Sequence, residues 1–269
     1  MSNNPLQIAA LPLNIKWANR EANLVAVEQA AAGLRPGTDL LVLPELFTTA
    51  FIADPEVLHR LAEPDDGVTM TRLRQLAAER RIAIAGSFLA CNESRTEFYN
   101  RAFIMEPNGE TVYCNKRHLF HLSPEAKLLT PGHTPYSVVR FRGWNLAVGV
   151  CYDLRYPVWC RNRSNEGLFA YDIFIFAANW PESRSYALET LSKARAIENQ
   201  AYVVVCNRSG EDDYGTYDGL SFIHDEMGKT LAKSDKDEII YVEAVMTSLE
   251  ETRRRMPASL DADKFTIKY

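Results

Sequence analysis

Residues 144–157, WNLAVGVCYDLRYP, change character at a single position. Leu146 to Val150 form a continuous apolar run, as in a strand covered on both faces; Tyr152, Asp153 and Arg155 follow, and Pro157 ends the segment. A buried strand therefore delivers Cys151 to its own carboxyl end, which is where ligand sites of α/β sheets gather. At that place a thiol is either a small core residue or a nucleophile.

Working outward, apolar runs alternate with helical stretches. NREANLVAVEQAAAGLRPG (19–37) has a cap at Asn19 and a Pro-Gly stop, and it feeds the strand-like run DLLVLPE (39–45). TMTRLRQLAAERR (69–81) reads as a helix and IAIAGSFLA (82–90) as a strand, while FYNRAFIMEPNGETVYCNKRHLF (98–120) alternates around the turn signal EPNG as a hairpin would. Beyond Pro157 come a helical stretch, the run DIFIFAANWP (172–181), the helix SYALETLSKARAIENQ (185–200) and the strand AYVVVCN (201–207). SFIHDEMGKTLA (221–232) is a second hairpin, EIIYVEAVM (238–246) a half-buried strand, and SLEETRRRMP (248–257) a charged helix. Ten or more strands exceed what one open sheet holds comfortably, so the expected fold is an α/β sandwich of two packed sheets flanked by helices, in one domain over residues 1–269.

Composition narrows the function. Of the 269 residues, 46% are hydrophobic and 24% charged, enough for one large core, and a net charge of −5 with scattered Lys and Arg leaves no basic stripe for nucleic acid. The N-terminal stretch has no charged region before its short apolar run, and no run approaches the ~20 residues that cross a bilayer, so a cytoplasmic protein without a membrane partner is expected. Five irregularly spaced cysteines (91, 114, 151, 160 and 206) read as free thiols.

Three polar residues stand at or just past the ends of apolar runs: Glu45, Lys116 and Cys151. Together they would supply a base for the thiol proton, a cation favouring thiolate and oxyanion, and a nucleophile for a carbonyl carbon. The backbone N–H of Tyr152, just after the nucleophile, would be a second oxyanion donor. Taken singly, each has a plainer reading: Cys151 as core, Lys116 as part of a solvated loop, Glu45 as a cap.

The text around these positions joins them. LLVLPELF, NKRHLF and GVCYDLRYP, in that order, resemble the nitrilase superfamily of carbon–nitrogen hydrolases, as do PEAKLLTPG, ANWP, KARAIENQAYVVVCNRSG and YDGLSFIHDEMG. The resemblance runs from about residue 6 to the end. It implies a four-layer αββα sandwich of two mixed β-sheets, pairing as a homodimer and needing no metal or organic cofactor. It also implies a mechanism in which Glu45 takes the Cys151 proton and the thiolate attacks a small-molecule carboxamide. Lys116 and the Tyr152 N–H hold the oxyanion, ammonia leaves, and water hydrolyses the thioester. Glu125 of PEAKLLTPG corresponds to the family's second Glu and would position Lys116 and the substrate amide.

The compact length and the CYDLRYP form look like the omega-amidase group, which hydrolyses terminal amides of keto acids such as 2-oxoglutaramate; aliphatic amidases, N-carbamoyl amino acid hydrolases and nitrilases are the alternatives. An omega-amidase must also bind a carboxylate, a task suited to a guanidinium. Arg155 and Arg184 are the candidates, with an internal ion pair to Asp153 or another acid as the competing reading for Arg155. Phe51, Asn179 and Trp180 are expected in the pocket wall. Three other readings stand further off. A papain-like enzyme would need one of His59, His118, His121, His133 or His224 beside the thiol; a metal site would be drawn from Cys114, His118 and His121; and a catalytically silent dimer would keep the fold alone.

Overall fold

In the computed structural model, which describes residues 5–162, 169–234, 236–263 and 265–268, every apolar run named above is a strand. The first sheet draws on β1 (Leu6–Ala10), β2 (Leu40–Val42), β3 (Ala83–Cys91), β4 (Phe98–Met105) and β5 (Thr111–Asn115). The second draws on β6 (Val138–Phe141), β7 (Trp144–Val150), β8 (Ile173–Ala178) and β9 (Tyr202–Asn207). A separate hairpin of β10 (Ser209–Asp212) and β11 (Gly215–Asp218) follows, then β12 (Phe222–His224), β13 (Thr230–Lys233) and β14 (Ile240–Ala244). The six-stranded orders are β14-β1-β2-β3-β4-β5 and β13-β12-β9-β8-β7-β6, each with three parallel central strands and antiparallel edges.

The period of two along each strand sorts the core into layers. Ile8, Val42, Ala85, Ala102 and Ile104 face Val148, Val150, Ile175 and Val204 across the space between the sheets. Ala9, Leu41, Ile84, Phe103 and Met105 turn the other way, onto Leu24 and Val27 of α1 (Arg20–Ala32) and Met70, Leu73 and Ala77 of α3 (Val68–Arg80). Between those helices, α2 (Pro55–Leu61) is capped by the Asp54 side chain. After β5, α4 (Glu125–Leu128) and α5 (Pro157–Cys160) are single turns. On the second sheet lie α6 (Ser185–Asn199), whose Leu188, Ser192, Arg195, Ala196 and Asn199 recur at helical spacing, and α7 (Met246–Arg255), through Leu249. Helices outside two facing sheets make the αββα order.

Local signals act where the sequence places them. The Asn19 side chain accepts the Ala22 N–H at 3.1 Å to start α1, but the helix ends at Gly33, ahead of the Pro36-Gly37 stop read from the sequence. The helical stretch after Pro157 is shorter than its sequence suggests, only four residues. The β10–β11 hairpin was not foreseen: SGEDDYGTYDG is polar and carries no apolar alternation. It is held instead by Arg208, whose guanidinium is fully buried, pairs with Asp212 and lies 4.2 Å from the Tyr217 ring centroid.

Candidate active site

Strand direction brings the three polar residues to one place. β5 is antiparallel to β4 and β4 to β3, so β5 ends on the same side of its sheet as the parallel β2, and Glu45 and Lys116 emerge together. In the facing sheet β7 and β8 end beside them, the Glu45 N–H donating to Ala178 O at 3.2 Å across the sandwich. Cys151 follows β7 at φ +46°, a left-handed backbone that side-chain-bearing residues rarely adopt and that turns the chain sharply away from the strand. Asp153 stabilises that turn: its carboxylate accepts the Val150 N–H at 3.1 Å and the His118 N–H at 2.9 Å, and its Oδ1 lies 2.8 Å from His118 Nδ1. The loop bearing Lys116 is thereby tied to the loop bearing Cys151.

Lys116 Nζ lies 2.8 Å from Glu45 Oε1, 2.8 Å from Glu125 Oε1 and 2.9 Å from Glu125 Oε2, and all three residues are buried. The Phe120 N–H donates to Glu125 Oε2 at 2.7 Å. Gly132, in the Pro-Gly turn, donates its N–H to Lys116 O at 2.8 Å; a Cβ there would stand 2.3 Å from Asn115 O, so only glycine lets the turn close on the lysine strand. The Glu45 carboxylate and the Asn179 backbone N–H both stand close enough to the Cys151 sulfur to act on its thiol, the first disfavouring the thiolate and the second favouring it.

Sequence reasoning missed Asn100. Its Nδ2 donates to Glu45 Oε1 at 2.7 Å and to Glu125 Oε1 at 3.3 Å, while its Oδ1 accepts from Ser87 Oγ at 2.9 Å. Ser87 Oγ in turn accepts the Leu46 N–H at 2.9 Å. A polar residue on the inward register of β4, two before Ala102 and four before Ile104, was the signal available.

Burial sets the charge states. It pushes the Cys151 thiol well above its ordinary 9.0; the neighbouring Glu45 carboxylate adds to the rise, and Lys116 only partly opposes it. Cys151 is thus a neutral thiol beside a carboxylate placed to accept its proton. Burial also raises Glu45 above 4.5, with Lys116 opposing and Glu125 assisting. For Lys116 burial acts against the ammonium, and Glu125 and Glu45 more than offset it, holding the amine well above 10.5. The site can therefore carry a protonated thiol, an adjacent carboxylate acceptor and a fixed ammonium around neutral pH.

The ten positions singled out from sequence all line one cavity of about 230 Å³, below the ~300–1,000 Å³ typical of pockets for drug-sized ligands. Glu45, Lys116, Glu125 and Cys151 form its floor; Phe51, Tyr152, Asn179 and Trp180 its walls; Arg155 and Arg184 stand exposed at its rim. Arg155 lies 4.7 Å above the Trp180 ring and Arg184 4.8 Å above Phe120. Asp153 is taken up by His118 and the backbone, so the internal ion pair considered for Arg155 is not made, and among the described residues no carboxylate pairs with either guanidinium. Tyr214 and Tyr217, from the unforeseen hairpin, complete the wall, Tyr214 edge-on to Phe51 at 5.2 Å. No histidine lines the cavity among the described residues, as a papain-like arrangement would require. Cys114 packs between the sheets while His118 turns to Asp153, so the spacing read as a metal site does not converge.

Residues 7–254 match the family model of the carbon–nitrogen hydrolases, and the chain belongs to that family. It is 37% identical over 265 residues to the omega-amidase YafV of Escherichia coli (strain K12), spanning 97% of this chain and 98% of that one. The 2-oxoglutaramate amidase of Bacillus subtilis (strain 168) is 29% identical over 259 residues, covering 96% and 97% of the two chains. Among solved structures, a CN-hydrolase superfamily protein of Xanthomonas campestris with an arsenic adduct in its active site superposes with a TM-score of 0.92 at 34% identity, covering 98% of this chain and 99% of that one.

Proposed function

We propose that this chain is a thiol-dependent amidase that cleaves the terminal carboxamide of a small omega-amido acid, such as 2-oxoglutaramate, to a carboxylate and ammonia. One observation carries the reading: Cys151, Glu45, Lys116 and Glu125 meet at the floor of one small cavity, with Lys116 bonded to both carboxylates, and the rim holds two guanidiniums that have no carboxylate partner among the described residues. Glu45 takes the thiol proton as sulfur attacks the carboxamide carbon. Lys116 and the Tyr152 N–H stabilise the oxyanion, Glu45 returns the proton to the departing ammonia, and a water activated by the same carboxylate hydrolyses the thioester. Glu125 holds Lys116 in place. Arg155 and Arg184 draw the distal carboxylate, while Phe51 and Trp180 pack on the short chain between. The relatives named omega-amidase and 2-oxoglutaramate amidase support this substrate class.

The same reading takes residues 1–269 as one catalytic domain acting in the cytoplasm as a homodimer. Support for pairing comes from apolar side chains left outside on α6 and beyond α7, with Tyr186 85% and Leu260 71% exposed. No described helix is long and apolar enough to cross a membrane.

Ammonia release from 2-oxoglutaramate, glutamine, a simple aliphatic amide, a nitrile and an N-carbamoyl amino acid tests the substrate. The keto-acid amide is expected to give the highest kcat/KM; a preference for the nitrile would sink the amidase reading, and one for the carbamoyl compound would move the enzyme to another branch. The pH profile tests the base. Because Glu45 accepts a proton only when ionised and its pKa is raised, kcat/KM should climb with pH through a limb above 4.5. A limb at or below that value would remove Glu45 from the role.

A further inference from the structure

The polar hairpin of β10 and β11 ends at the cavity. Its strands pair as far as Asp212 and Gly215, which leaves Asp213 and Tyr214 as the turn, and the Tyr214 N–H donates to Asp212 Oδ1 at 2.9 Å. The turn stands on a fixed base. Arg208 donates to the Ile15 carbonyl at 3.1 Å as well as pairing with Asp212, Tyr217 Oη donates to Asp212 Oδ1 at 3.3 Å, and at the far end of β11 the Ser185 hydroxyl donates to Asp218. Ser185 directly follows Arg184, so the hairpin is also tied to the segment bearing a rim guanidinium. Tyr214 is 45% exposed whereas the four residues of the floor are buried, which puts its ring at the outer part of the cavity. There it meets Phe51 edge-on, and since both rings line the cavity, their contact closes the wall between two separate loops. Phe51 is anchored in turn, its carbonyl accepting the Trp17 indole N–H at 3.1 Å.

We infer that the Phe51–Tyr214 pair limits the length of the substrate, admitting the monoamides of short dicarboxylic acids up to that of glutaric acid and rejecting longer ones. The inference rests on the amidase reading above and adds which side chains measure the acid. With the carboxamide carbon held at Cys151 and the distal carboxylate drawn to Arg155 and Arg184, both ends of the chain are set. An extra methylene then either carries the carboxylate past the guanidiniums into water or bows the chain sideways. Sideways lies a wall of two aromatic rings on anchored backbones, which yields little to an added carbon. Removing the Tyr214 ring opens that wall towards solvent, and a longer chain can bow into the space while keeping both ends in place.

The test compares kcat/KM for the monoamides of succinic, glutaric, adipic and pimelic acids in the wild type, Tyr214→Ala and Tyr214→Phe. The wild type is expected to lose about tenfold or more for each methylene beyond the glutaric compound, the scale on which a single methylene counts in an apolar pocket. Tyr214→Ala is expected to raise the adipic-to-glutaric ratio by about tenfold or more, mainly through KM, and Tyr214→Phe to keep the wild-type ratio, because the ring and not its hydroxyl forms the wall. Should the alanine variant not fold, Phe51→Ala removes the other half of the pair and is expected to move the ratio the same way. A wild type without a length limit, or a ratio that the alanine substitution leaves unchanged, overturns the role given to the pair. A wild type that releases ammonia from none of these monoamides and none from 2-oxoglutaramate overturns the amidase reading instead, so the two failures are distinguishable.

Discussion

Cys151→Ala should abolish turnover while leaving the protein folded. In triads that act as a unit, removing the nucleophile costs about 10⁶-fold in rate, so ammonia release from any amide should fall below detection. The stability change is expected to be small. Alanine keeps the Cβ already accommodated at φ +46°, and the sulfur it removes fills little of the core, for Cys151 borders the cavity and is 9% exposed. A loss of about 1 kcal/mol would lower Tm by roughly 2–4 °C in a chain of this size. Scanning calorimetry beside the ammonia assay separates the outcomes. Unfolding of the variant would return Cys151 to the core-residue reading, whereas a folded and inert protein that still binds amide in calorimetric titration would hold it as nucleophile.

The same contrast explains what the sequence could and could not show. Glu45, Lys116 and Cys151 were legible because each interrupts an apolar run at a strand end, where a polar residue has no packing reason to stand. Arg155 was only half legible: its neighbour Asp153 offered a nearby charge, and nothing in the order of residues reveals that His118, 35 positions earlier, already occupies that carboxylate. Asn100 escaped because alternation tells which face a side chain takes but not what it meets, and its partners lie 55 and 25 residues away. The β10–β11 hairpin escaped for a different reason. It is stabilised by a buried arginine, an acid and a tyrosine ring rather than by apolar alternation, so Tyr214 and Tyr217 gave no signal of reaching the cavity.

Lys116→Met should also end turnover, but with a different stability signature. The wild-type floor holds one ammonium between two carboxylates, a net charge of −1 that is unchanged when the thiol proton moves to Glu45, since a thiolate replaces a carboxylate. Once Glu45 is neutral its hold on Lys116 weakens, and the ammonium can turn to the oxyanion that forms next. Methionine removes this donor, worth about 10²–10³-fold in kcat, and leaves Glu45 and Glu125 facing each other in the interior. Breaking a buried ion pair on one side costs about 3–5 kcal/mol, so Tm near neutral pH should drop by roughly 10 °C. The deficit should shrink in acid. With the ammonium gone the carboxyl pair holds a proton in the folded state that the unfolded chain releases above ~4.5, so the variant gains stability relative to the wild type as pH falls towards that value. Adding Glu125→Gln removes the repulsion and should restore most of the melting temperature, with Asn100 Nδ2 still donating to Glu45, but it should restore no activity. Recovery of turnover in the double variant would mean that Lys116 serves only to neutralise the two acids; recovery of stability alone assigns its charge to the reacting oxygen.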